Sequence, residues 1–316
     1  MRNVLFGIVA NLVLALSGTA LIAQPTLKPT GKLPQNEEVS FTVTVVPQGS
    51  KQRETAKKLT SSDFDVIENK RSQRLKSVKP AAETPIDLAI VIQPTLDRRV
   101  DYELEAIRQF AQKLPPNSRL MTGYLVNDGA IITQELTENI AQAIETIKPY
   151  RKGLRPIGFS PYVGVQTAIE HFDSAADHRK MIIVICDGLD LAGGFIQTNP
   201  FLSVSLGKTI SAAQVRGVSI YAIHAPSDDL EPYGRFAVNH GQGALIKLAH
   251  ETGGEAFFSG LSFVNFSPYL DELKEMLKDQ WLINYRSSLS GKGFRRIEVK
   301  TDFDVHLHHF DGYSVK

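Results

Sequence analysis

The chain has 316 residues and 42% hydrophobic content, enough for one large domain with an appendage or two modest ones around a packed core. Its 35 Lys and Arg against 34 Asp and Glu leave a formal net charge of +1, so no global field draws it to nucleic acid or to an anionic membrane surface. A single cysteine, Cys186, excludes an intramolecular disulfide.

Residues 1–23 join one cation, Arg2, to an apolar stretch from Val4 to Leu16, then Ser17-Gly18-Thr19-Ala20 and finally Ala23. This reads as a secretory signal peptide cut after Ala23, with a cut after Ala20 or retention as an anchor as alternatives, and implies a secreted or periplasmic protein. Residues 24–36 are polar and proline-rich, the composition of a flexible leader. Val39 to Val45 alternates apolar and polar residues, a half-buried strand, and two further strands are expected around Glu68-Asn69-Lys70. Residues 37–80 thus form the first part of a small β module.

Over residues 85–279 strands alternate with helical segments, which argues for βαβ units in a doubly wound, mainly parallel α/β sheet. Strands are predicted over 86–92, 119–126, 130–133, 181–186, 217–223 and 255–258. Helices are predicted over 100–114, 136–148, 161–173, 207–216, 241–252 and 266–279, with Pro115-Pro116 and Gly217 as stops. Residues 280–316 return to β character in Trp281–Tyr285, Phe294–Lys300 and Val305–His308. Three short strands bury little alone, so they are expected to pair with those of 37–80 into one discontinuous module from which the α/β domain emerges as an insertion. No second long apolar segment follows the first, and no membrane span is expected beyond it.

The strand at 181–186 delivers Asp187-Gly188-Leu189-Asp190 to its carboxyl end, where open α/β sheets bind ligands. Four stretches in order carry a family likeness. They are Leu59–Asn69 with Asp63-Phe64-Asp65-Val66-Ile67-Glu68, Ile182–Asp190, Leu245–Phe258 with Thr252-Gly253-Gly254-Glu255, and the tail through Phe294–Lys300 to Gly312-Tyr313. Together they resemble a von Willebrand factor type A domain, most closely the exported bacterial "VWFA-related" subgroup. The resemblance implies a non-enzymatic recognition or adhesion protein that meets a protein or cell-surface ligand at the rim of the sheet. It also implies a metal-ion-dependent adhesion site, in which an Asp-x-Ser-x-Ser loop, a later Thr and an Asp after the central strand hold Mg²⁺ through oxygen.

Set against that pattern, Gln93 stands where the family has its leading Asp, Thr95 at the first Ser and Asp97 at the second. Ser160 lies in the region of the Thr-bearing loop, and Asp187 matches the Asp after the central strand. An amide in place of a carboxylate weakens a divalent site, so the site is expected to be degenerate and no cofactor is expected. Mg²⁺ or another divalent cation at an altered Asp97–Asp187 site is the alternative. The residues admit plainer roles too: Asp97 as a helix-terminus anion, Asp187 as an acceptor for loop amides, Ser160 as the N-cap ahead of Pro161.

His306, His308 and His309 read as a solvated strand face rather than a metal site, and Cys186, directly after five apolar residues, as a buried thiol. His224, followed by Asp228-Asp229, belongs to the rim. No nucleophile elbow, P-loop, zincin helix or dinucleotide fingerprint occurs, so the chain is not expected to be an enzyme, a hydrolase of unknown type being the alternative. Rim loops over 188–206 and 224–242 carry Phe195, Phe201, Tyr233 and Phe236, expected either to bind the partner or to fold back over the core. A further alternative is a subunit of an envelope assembly that uses its β module.

Overall fold

Elements fall into three groups along the chain. The first comprises β1 (Glu38–Val46), the short helix α1 (Ser50–Ala56), β2 (Asp65–Glu68), β3 (Arg71–Gln73) and β4 (Leu75–Pro80). The second runs through β5 (Ile86–Ile92), α2 (Val100–Gln112), β6 (Arg119–Val126), β7 (Gly129–Thr137), α3 (Ile140–Ile144) and α4 (Pro161–Glu170). It continues with β8 (Arg179–Cys186), α5 (Val204–Arg216), β9 (Val218–His224), α6 (Gly234–Glu251), β10 (Ala256–Phe258) and α7 (Ser267–Lys278). The third is β11 (Gln280–Arg286), β12 (Gly293–Lys300), β13 (His306–His308) and β14 (Gly312–Val315). The computed structural model describes residues 38–127, 129–150, 158–173, 177–194, 198–227, 234–258 and 265–315; the signal segment and leader expected over 1–36 lie outside them.

The second group builds a six-stranded sheet in the order β10-β9-β8-β5-β6-β7, parallel except where β7 runs antiparallel to β6. Counted within this sheet the order is 3-2-1-4-5-6, the doubly wound arrangement. Strands buried on both faces must be apolar throughout, and β5 and β8 are, but for the charged residues at their amino ends. Successive side chains serve opposite cores. Leu88, Ile90, Met181, Ile183 and Ile185 meet α2 and α7 through Ile107, Phe110, Leu273 and Leu277. Ala89, Val91, Ile182, Val184 and Cys186 meet α4, α5 and α6 through Val165, Ile169, Ile210 and Leu248. In α2 the buried stripe Val100, Leu104, Ile107, Ala111 recurs at helical spacing.

Two boundaries differ most from expectation. The helix predicted over 136–148 is strand up to Thr137 and then only α3, because the β-branched run Ile131-Ile132-Thr133 extends β7 alongside β6. Asn139 then caps α3 by accepting from Gln142 N at 3.1 Å. Helix α6 begins at Gly234, seven residues before its predicted start at 241.

The first and third groups close on each other as two antiparallel four-stranded sheets, β13-β1-β11-β4 and β14-β12-β2-β3. Phe41 lies opposite Ile283, and Ile67 opposite Glu298. Phe41, Val43, Val66, Ile283, Tyr285, Ile297 and Tyr313 fill their common core. Asn69 and Lys70 both take positive φ, 44° and 67°, the two-residue turn whose twist suits a hairpin.

The β module is bolted to the amino end of the sheet by Arg179, the first residue of β8, which is 2% exposed. Its guanidinium donates to Leu277 O and Gln280 Oε1 at 2.8 Å, Thr84 O at 3.2 Å and Ala81 O at 3.3 Å. All four acceptors are neutral carbonyls, and burial depresses the group to about 10. His308, expected on a solvated face, instead joins this contact: its Nε2 lies 2.9 Å from Gly254 O and its ring meets that of His250. The carboxyl-end rim therefore points away from the module.

Candidate functional site

At the carboxyl end of the sheet, β5, β8 and β9 each turn into a loop. Backbone bonds knit these loops together: Gln93 N donates to Ile185 O at 2.9 Å, Ala225 N to Cys186 O at 3.1 Å and Asp97 N to Pro226 O at 2.9 Å. Because β5 and β8 send their connections to opposite sides, the loops part here and leave the crevice in which doubly wound sheets place their sites. Gln93 and Asp187, each 1% exposed, close that crevice from the two sides.

One nitrogen lies at the centre. Gln93 Nε2 donates to Asp187 Oδ2 at 2.8 Å, Thr95 Oγ1 at 2.9 Å and Ser227 Oγ at 2.9 Å. Ser227 Oγ bonds the same Asp187 oxygen, and Asp187 Oδ1 accepts from Leu189 N at 2.9 Å. The orientation of the amide follows from its neighbours. Its oxygen faces a compulsory donor, Asp187 N, at 3.3 Å, and its nitrogen faces the acceptor oxygen Asp187 Oδ2. Turning it over would set carbonyl against carboxylate and N–H against N–H.

The glycine of Asp187-Gly188 has a steric cause. Gly188 has φ 72°, and a Cβ there would lie 2.4 Å from Gly241 O as α6 crosses the loop. Tyr162 Oη donates to Gly188 O at 2.6 Å from the other side. Asp190, the second acid of that motif, accepts from Ala192 N at 3.1 Å and from Ser203 Oγ, which caps α5, so it anchors the loop. His224 ends β9 beside this site; burial lowers its imidazole below the usual value, while the Asp187 carboxylate pulls the other way.

Of the residues singled out from sequence, the structure brings Asp187 and Thr95 together on Gln93. Asp97 serves a different purpose. Its carboxylate holds the Arg99 guanidinium, with Nη2 at 2.6 Å, and accepts Arg99 N at 2.8 Å as the chain turns into α2. Ser160 occupies the N-cap position of α4 ahead of Pro161, yet its buried side chain makes no cap bond, nor any other to a described residue. Ser227 was missed because nothing in Ala225-Pro226-Ser227 sets this serine apart from any other loop hydroxyl.

A divalent cation does not fit this arrangement. The amide nitrogen sits where an ion would, at hydrogen-bond spacing from its oxygens rather than the 2.0–2.1 Å of Mg²⁺ ligation, and the amide oxygen faces away. Among the described residues no three His, Cys, Asp or Glu gather as a metal-holding group.

Of the expected partner-binding aromatics, Phe201 is 85% and Phe236 72% exposed, so neither folds back over the core. Phe195 and Tyr233 lie outside the described residues. The strip 198–201 follows one face of α6: Thr198 Oγ1 meets His240 Nδ1 at 2.7 Å, and Lys247 Nζ lies 5.8 Å from the Phe201 ring centre. Leu202, Val204 and, in the first turn of α2, Tyr102 are exposed as well. Tyr102 was legible as the residue between Val100 and Leu104 that leaves the buried stripe.

Fold and crevice define a doubly wound α/β domain with a closed polar centre at its switch point. More particularly, the chain joins a six-stranded, mainly parallel sheet covered by helices to two antiparallel four-stranded sheets. No family model and no curated protein matches the sequence. Solved structures similar to it include von Willebrand factor type A from Catenulispora acidiphila, at 10% identity over 89% of this chain and 75% of that one, TM-score 0.45. Protein BatB from Bacteroides thetaiotaomicron is 16% identical over 61% of this chain and 99% of that one, TM-score 0.42. An aerotolerance-related membrane protein from Bacteroides fragilis is 14% identical over 61% and 98%, TM-score 0.41.

Proposed function

We propose that this is a secreted or periplasmic, non-enzymatic recognition protein that meets a protein or cell-surface partner at the carboxyl-end rim, with the metal-ion-dependent adhesion site in degenerate form. The supporting observation is the exposure of Phe201 and Phe236 on the pole that points away from the β module, since exposed aromatics on a rigid frame are what interfaces use as anchors. Capture from envelope extracts, with crosslinking, tests it: Phe201→Ser with Phe236→Ser abolishes recovery of a partner that the parent retains. Undiminished capture would overturn the rim as the contact surface.

One observation favours a second reading, an assembly subunit that binds through the module. A cavity of about 410 Å³ opens between its two sheets, lined by Asp65, Val299, Lys300, Asp302, His306 and Leu307 among others. Loss of capture on Val299→Arg, with the rim variants silent, would select this reading.

A further inference from the structure

We infer that the Gln93 side-chain amide is a built-in replacement for a cation, and that the oxygens around it are a latent divalent site which one substitution would reopen. This deepens the degenerate-site part of the proposed function and is independent of its partner part.

The geometry is that of a cage around a positive centre. Oxygens from three separate loops, Thr95 after β5, Asp187 after β8 and Ser227 after β9, converge on one atom at 2.8–2.9 Å. A primary amide has two hydrogens for these three acceptors, so the oxygens around the nitrogen outnumber the protons that it can itself donate. Such a surplus suits a cation better than a neutral donor. The Asp187 carboxylate, 1% exposed, accepts hydrogen bonds from Gln93 Nε2, Ser227 Oγ and Leu189 N. Burying a carboxylate demands compensation, and here the amide dipole supplies what an ion would otherwise supply.

Three consequences follow for this chain. The rim is assembled without any ion, because the side chain that bridges its loops is covalently present. Its amide protons, enclosed by three oxygens, exchange slowly with water. Finally, shortening Gln93 to Asp removes the nitrogen from the centre and faces a second carboxylate across the gap to Asp187, with Thr95 and Ser227 in place as neutral oxygens. Hard divalent cations favour such an oxygen set.

Thermal melts of the full chain with EDTA, Mg²⁺ and Mn²⁺ test this, together with the Gln93 side-chain NH₂ resonances, assigned by their loss in Gln93→Glu. The parent melts at one temperature in all three solutions, and its Gln93 amide protons are protected. Gln93→Asp melts lower in EDTA and recovers with saturating Mn²⁺ by on the order of 5 °C, a gain removed by adding Asp187→Asn. A folded Gln93→Asp that ignores Mn²⁺ would overturn the latent site while leaving the degenerate reading intact. A rise of the parent's melting temperature with Mn²⁺ that Asp187→Asn abolishes would overturn both. If Gln93→Asp does not fold, unprotected Gln93 amide protons in the parent would sink the inference, and protected ones, with melts indifferent to ions, would support the surrogate role.

Discussion

Two aspartates, Asp87 at the amino end of β5 and Asp187 just past the carboxyl end of β8, are both nearly inaccessible, at 0% and 1% exposure, yet different groups hold them. Asp87 meets charge. The Arg119 guanidinium grips it at 2.8 and 2.6 Å, bonds Asp173 as well, and is held more firmly protonated for it, while His178 Nδ1 lies 2.7 Å from the same carboxylate. Asp187 accepts hydrogen bonds from a side-chain amide, a hydroxyl and a backbone N–H. The amino end is thus an ion-paired foundation beside the β module. The carboxyl end is a hydrogen-bonded lock at the place where such sheets bind ligands.

The difference predicts unequal costs. Arg119→Met leaves Asp87 buried without its bidentate partner and is expected to cost roughly 3–5 kcal/mol in urea denaturation. Gln93→Ala leaves Asp187 with its remaining donors and is expected to cost roughly 1–3 kcal/mol. If the second exceeds the first, the rim carries the fold and the comparison is wrong.

A smaller effect is expected from pH at the amino end. Burial pushes the imidazoles of His308 and His309 below their usual value. Groups kept neutral in the fold give stability that is complete above the unfolded value, about 6.5, and is lost as pH falls through the folded ones. Melting temperature should therefore decline from pH 7 toward pH 5, and His308→Gln should flatten that decline; a slope unchanged by the substitution would place the effect elsewhere. Smallest of all, Phe201→Ser and Phe236→Ser should shift stability by less than about 0.5 kcal/mol, because both rings are already in water. A larger loss would make them part of the core rather than of a contact surface.

Much of the frame could be read along the chain. The doubly apolar runs of β5 and β8, the stripe of α2 and the glycine after Asp187 each follow from local periodicity or sterics. The end of β7 could not be, since whether Gln134 to Thr137 continue as strand depends on β6 lying alongside them. The site was legible by half. Asp187, Thr95, Asp97 and Ser160 stood out as candidates and Gln93 as the departure from the pattern; Asp97, read both as ligand and as helix-terminus anion, holds Arg99.

The order of strands and helices, the apolar cores they require and the absence of a leading carboxylate at position 93 are properties of the sequence itself. They rest on side-chain chemistry and on periods of a few residues. The tertiary structure alone decided that Gln93 would find Ser227, 134 positions away, that Arg119 would neutralise Asp87, and that Arg179 would fasten the module to the sheet. A polar group chooses its partner by which loops packing brings within about 3 Å, and no local pattern encodes that distance.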